Sequence, residues 1–173
     1  MNPILSYALG VITPIVTGRL LSISNRDKRL YKEFVELFPE NTGFIHAVNE
    51  IAPGDYYDLS DLRALEEFCV SWEKDSKTFE DISIQTTINA FMTNAQEFRN
   101  CLYEHGDGRN SRQQVKIDAD HYTGESPDEY YKRRDKLFTE TYNLTQKIID
   151  NYDDVLYACR KLEGRSLPFP LGS

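Results

Sequence analysis

An arginine and an asparagine followed at short range by a histidine form a group able to act on a phosphodiester. The stretch Arg99-Asn100-Cys101-Leu102-Tyr103-Glu104-His105 has that composition. A planar, permanently charged guanidinium can hold a phosphate and stabilise charge that builds on it. An imidazole titrating near neutrality can give or take the proton. Such a group must be carried on a firm element, and the string lies at the end of a predicted helix. His105 directly precedes Gly106, so the structural account of the same residue is a cation beside a helix C-terminus.

Three other groups invite chemistry. Lys132, Arg133, Arg134 and Lys136 make the one basic cluster after the N-terminal segment. It reads as a solvated helix face, or as a patch for an anionic ligand or lipid head group. Asp118, Asp120 and His121 carry hard and borderline donors, but their spacing fits no metal loop, and neighbouring Glu125, Asp128 and Glu129 serve helix capping. No metal or cofactor is expected. Gly106-Asp107-Gly108-Arg109 has the look of a phosphate loop, yet it follows a helix, so helix N-terminal amides are not aimed at it. His46 reads as a partly buried helix residue.

The Arg99-Asn100…His105 string resembles the R-N-x(2–4)-H signature of HEPN ribonucleases. That resemblance implies a helical domain that dimerises to bring two Arg/His pairs over an RNA backbone, with Arg99, Asn100 and His105 as catalytic residues. A second resemblance runs through most of the chain. Its features are an apolar segment and basic linker, the string Leu30-Tyr31-Lys32-Glu33-Phe34-Val35-Glu36-Leu37-Phe38-Pro39, Phe68 with Trp72, and the Gly-Asp-Gly-Arg loop. This order is similar to a group of uncharacterised short bacterial proteins with one N-terminal membrane helix and a helical cytoplasmic domain. It implies no activity and no catalytic residue.

The elements that would position these residues are helices. Leu30, Phe34, Val35, Leu37 and Phe38 sit among charges in an amphipathic segment that Pro39 stops. Phe44, Ile45, Val48 and Ile51 follow at helical spacing until Pro53-Gly54. Asp58 or Ser60 can cap a third helix built on Leu62, Leu65, Phe68, Cys69 and Trp72, ending near residues 74–76. From about Thr78 to Glu104, Phe79, Ile84, Ile88, Phe91, Ala95, Phe98 and Leu102 form a bundle seam. A long loop follows, with a short strand expected at Gln113 to Ile117. Ser126-Pro127-Asp128-Glu129 is the clearest helix start: a cap, a proline at the first position and a capping-box glutamate. That helix should run to about Glu163 and end on Gly164. Leu137, Phe138, Leu144, Ile148, Tyr152, Val155, Cys159 and Leu162 mark its buried face. The expected fold is all-α, an N-terminal apolar helix followed by a bundle built on two long antiparallel helices.

Residues 1–25 form the apolar segment, 26–164 the bundle and 165–173 an extended tail. No charged side chain occurs from Pro3 to Gly18; Arg19 follows, then Arg26, Lys28 and Arg29. A helix over the uncharged run reaches about 24 Å, so it spans a bilayer core of ~30 Å only if Leu20 to Ile23 contribute and Arg19 snorkels. Positive charge comes after the apolar run, whereas a secretory signal places it before. The order therefore favours an uncleaved anchor at an inner membrane with the bundle in the cytoplasm. The alternative is an apolar helix in the core or at an oligomer interface of a cytoplasmic protein.

Composition sets the outer limits. A chain of 173 residues can bury a core without metal or disulfide staples. A net charge of −8 opposes non-specific attachment to nucleic acid. Cys69, Cys101 and Cys159 are odd in number, widely spaced and set among apolar residues, as for free thiols in a reducing compartment. The favoured reading is a non-enzymatic, membrane-associated interaction, sensor or effector protein with a protein partner or a second copy of itself. The alternative is a HEPN-like ribonuclease acting as a homodimer.

Overall fold

The chain is represented by a computed structural model that describes residues 24–74, 77–107, 113–119 and 124–165. The candidate anchor at residues 1–23, with Arg19, lies outside the described residues. Among those described, no helix is long and apolar enough to cross a membrane.

The first described helix, α1 (Asn25–Leu37), starts where Ser24 Oγ accepts from the Asp27 amide at 3.0 Å. Its inward face carries Leu30 and Phe34, and Phe38 caps its end. The next helix, α2 (Gly43–Glu50), buries Phe44, Ile45, Ala47 and Val48 and leaves His46 exposed, contrary to the partly buried position expected for it. Strand β1 (Tyr56–Asp58) leads into α3 (Leu59–Lys74), whose Leu62, Leu65, Phe68, Cys69 and Trp72 all face inward.

Helix α4 (Ile82–His105) begins later than the apolar pattern suggested. Asp81 accepts from the Ser83 and Ile84 amides, the N-cap arrangement that satisfies two otherwise orphaned donors. The residues before it are held by side chains: Gln85 Oε1 accepts from the Phe79 amide at 2.6 Å, and Asp27 takes those of Glu80 and Asp81. Phe79 is thereby buried from an extended segment instead of a helical one.

Helix α5 (Pro127–Arg165) opens with the anticipated capping box. Ser126 Oγ accepts from the Glu129 amide at 3.4 Å while Glu129 Oε2 accepts from the Ser126 amide at 3.0 Å. It continues through Gly164 to Arg165, so that glycine does not end it. Asn94 faces Asn151 and Cys101 faces Thr141 across the α4–α5 boundary. Later residues of one helix meet earlier ones of the other, which makes the pair antiparallel. Thr141 and Thr145 fill buried positions on α5 that an apolar count passes over.

The fold is mostly helical, but not purely so. Strands β2 (Gly106–Asp107) and β3 (Gln114–Ile117) join β1 in an antiparallel sheet of order β1-β3-β2. Tyr57 pairs with Val115 and Gly106 with Ile117, and Val115, Ile117 and Tyr57 point into the core. The sheet closes the end of the bundle at which α4 finishes.

Aromatic rings fill the centre. Phe34 lies 5.2 Å from Phe91, 5.3 Å from Phe38, 5.9 Å from Tyr152 and 6.1 Å from Phe68, centroid to centroid, so α1, α3, α4 and α5 meet on one side chain. Edge and tilted contacts at these separations add to the effect of burial.

Candidate functional site

Arg99, Asn100 and His105 occupy the last turns of α4, but the helix does not bring them to one surface. Arg99 turns towards α3. Its Nε lies 3.3 Å from Glu66 Oε2 and donates to the Tyr103 hydroxyl at 3.4 Å. The Tyr103 hydroxyl in turn donates to Glu66 Oε1 at 2.7 Å, and the guanidinium sits 5.3 Å from the centre of the Tyr103 ring. Bonding to Tyr103, reinforced by the Glu66 charge, outweighs desolvation and raises the Arg99 pKa above its ordinary value. Its charge is engaged within the fold.

His105 turns the other way. With Asn100, Cys101 and Glu104 it lines a groove of about 280 Å³ whose far wall is α5, at Leu137, Glu140, Thr141 and Leu144. Asn100 is exposed and the His105 side chain is 38% exposed, with Nε2 3.8 Å from Glu104 Oε2. The structure thus brings Asn100 and His105 together and separates both from Arg99. The elements packed on the helix set the separation: α3 meets the side of Arg99, and α5 the side of Asn100 and His105.

The groove is acidic, with Glu97, Glu104 and Glu140 on its walls. Such a field disfavours a polyanion. Cys101 lies inside it with Sγ 3.6 Å from Thr141 Oγ1, and burial, offset in part by that contact, pushes the thiol pKa up. A thiol held protonated is a poor nucleophile. None of Cys69, Cys101 and Cys159 is in a disulfide; Cys69 and Cys159 are buried and Cys101 is half-buried.

The basic cluster at the start of α5 is dispersed by its partners. Arg133 makes a two-pronged bond to Glu125, with Nε and Nη2 at 3.0 and 2.8 Å from its two carboxylate oxygens. Lys136 reaches Glu140 at 3.7 Å on the surface, where such a pair contributes little. Lys132 is exposed. Arg134 lies between two aromatic rings, 5.5 Å from the centre of Tyr131 and 5.2 Å from that of Phe138, and its Nε is buried with no hydrogen-bond partner.

The remaining candidates resolve simply. Asp118 is bound by Lys116 Nζ at 2.6 Å and accepts from the Ala119 amide, while Asp120 and His121 lie outside the described residues. Burial alone would raise the Asp118 pKa; the Lys116 bond, the Ala119 amide and the nearby cations lower it below the usual value. Among the described residues no group of His, Cys, Asp or Glu is disposed to hold a metal ion. Arg26, Lys28 and Arg29 stand on the exposed side of α1, Arg29 3.7 Å from Glu33.

Two residues that matter to this region carried no motif. Tyr103 falls one turn after Arg99, a spacing that does signal a shared helix face. Glu66 comes from another helix, and nothing local in the sequence marks it as the partner. The chain matches no known protein family, curated protein or solved structure.

Proposed function

We propose that this chain is a non-enzymatic, membrane-associated helical protein acting as an interaction, sensor or effector module. Its apolar segment would hold a bundle built on the long antiparallel pair α4 and α5 at the cytoplasmic face of a membrane. The observation that carries the non-enzymatic part is the divergence of Arg99 and His105 around α4, with Arg99 bonded to Glu66 and Tyr103. An arginine engaged in this way, away from a histidine in an acidic groove, is poorly placed to hold a phosphate for that histidine to act upon. The membrane part is supported by the uncharged run from Pro3 to Gly18 and the basic residues after it.

The test is fractionation of the full chain beside a version lacking residues 1–23. The full chain is expected in the membrane pellet after high-salt and alkaline washes, and the shortened one in the supernatant. A full chain that stays soluble and monomeric without detergent would remove the anchor.

A homodimeric HEPN-like ribonuclease is the second reading, favoured by one observation: Asn100 and His105 share a groove open to solvent. Arg99 would then have to come from a partner or leave Glu66. Cleavage of single-stranded RNA by the purified chain, abolished by both Arg99→Ala and His105→Ala, would establish it. Cleavage that survives either change would count against it.

A further inference from the structure

Arg134 is a cation that, among the described residues, aromatic rings hold and no ion pair does. Its neighbours are spoken for: Arg133 is bound by Glu125 and Asp118 by Lys116. Asp118 is near enough for Arg134 to help hold it ionised, yet the two form no ion pair. Among the described residues the Arg134 guanidinium has aromatic faces on two sides, and its buried Nε donates to nothing. A buried N–H without an acceptor is uncommon in folded proteins, and an unseen ion or ligand is one established reason for it.

The platform that holds Arg134 is itself built. Phe138 lies one turn along α5, and its ring presses on Gly54, where a Cβ would fall 2.6 Å from the ring carbon Cζ. Gly54 has φ +94°, a backbone state that side chains rarely adopt. The loop before β1 therefore makes room for the ring on which the guanidinium rests. Cation–π contact with the two rings restrains the guanidinium and lowers the entropy lost when it binds, leaving its N–H groups for an acceptor. Two nearby pairs, Lys116 with Asp118 and Arg133 with Glu125, are near-neutral, and exposed Lys132 on the same turns of α5 stands against exposed Asp128, Glu129 and Asp135. A planar fork with an orphaned donor suits a compact oxyanion with two acceptor oxygens in one plane.

We propose that Arg134, held between Tyr131 and Phe138, is the recognition residue of a phosphate-binding site at the junction of α5 and the loop preceding β1. A free phosphate and one carried on a lipid head group present the same chemistry to this residue. This site does not depend on the membrane anchor or on the reading of His105.

The test uses the full chain, labelled with 15N, and inorganic phosphate as the probe against sodium chloride of equal ionic strength. The Nε–H resonance of Arg134, identified by its loss in Arg134→Lys, should move saturably with phosphate while that of Arg133 stays. Arg134→Lys keeps charge and loses the fork, so it should bind phosphate about tenfold more weakly, and Arg134→Gln should show no saturable binding. Retained helical circular dichroism in the lysine variant separates lost recognition from lost folding. Phosphatidylcholine vesicles with and without phosphatidic acid distinguish the source. Competition by the acidic vesicles alone identifies a head group, and its absence with phosphate binding intact identifies a soluble phosphate. An Arg134 resonance indifferent to phosphate, as for a water bridge to Asp118, or equal phosphate binding by Arg134→Gln, overturns the proposal.

Discussion

Asp27 is 2% exposed and has no ion-pair partner among the described residues, so its carboxylate must be satisfied by dipoles. It accepts from the Glu80 amide at 2.8 Å and the Asp81 amide at 3.0 Å, one bond to each oxygen. This residue in the first turn of α1 thus anchors the segment that starts α4. Asp27→Ala removes the acceptor for two donors, each costing about 1–3 kcal/mol if left buried and unpaired. The expected loss in urea denaturation is therefore about 2–6 kcal/mol, with Asp27→Asn intermediate because it retains one acceptor oxygen. Nothing in the sequence singles out Asp27, since its charge fits the polar face of an amphipathic helix and its acceptors' partners lie over fifty positions away. Tyrosines supply the residue-scale pH dependence. The Tyr152 hydroxyl donates to the Phe38 carbonyl at 2.8 Å, and burial, more than the charges nearby, pushes its pKa up to about 12, as it does for Tyr57. Both phenols are neutral in the folded state at a pH where the unfolded chain, near its ordinary value of 10, already releases protons. The stability they contribute is complete below pH 10 and falls as pH rises towards 12. Stability measured against pH should drop over that interval, and Tyr57→Phe with Tyr152→Phe should flatten the drop. A wild-type profile level across the interval would contradict this account.

At the scale of elements, helices were legible and the sheet was not. Five helices follow from period and caps: Leu30 and Phe34, Phe44 to Val48, Leu62 to Trp72, Ile84 to Phe98, and the run after Ser126. Strands β1 and β2 are too short for alternation to be read, and only their partner β3, with Val115 and Ile117 facing inward, has a usable pattern. What makes β2 possible is Gly106, where a Cβ would collide with the Leu102 carbonyl oxygen and fall 2.8 Å from the Val115 side chain. The backbone turns sharply out of α4 there, and no side chain can share the space. Gly106→Ala must therefore unwind the end of α4 or detach β2. We expect a loss of about 1–3 kcal/mol, in the range of overpacking, with faster amide exchange at the β2–β3 pairing than in the middle of α4. Uniform exchange across both would place the strain elsewhere. The candidate site shares this divided legibility. Sequence gave Arg99, Asn100 and His105 a common helix, while the direction each faces depended on α3 and α5 packing on opposite sides of it.

The whole molecule is tied together by its aromatic centre. Phe34 touches rings from α3, α4 and α5, and Phe44 and Tyr57 both reach Phe98, so α2 and the sheet join the same cluster. With a core shared this widely, no helix can leave without exposing rings that belong to the others, and unfolding should be a single cooperative transition. Trp72 reports on this directly, because it is the only tryptophan and its ring packs 5.1 Å from Phe68 and 6.2 Å from Phe34. Its fluorescence and the far-ultraviolet dichroism of the helices should therefore share one midpoint in urea. Phe34→Ala removes the ring common to four helices and should cost about 3–5 kcal/mol, lowering both midpoints together. That is a large part of the roughly 5–15 kcal/mol by which such domains are stable. If fluorescence moved to lower urea while the helical signal stayed in place, α1 and α3 would be a separable layer on an independently stable α4–α5 pair. The antiparallel pair would then be a folding unit in its own right, and the shared core would be weaker than its ring contacts imply.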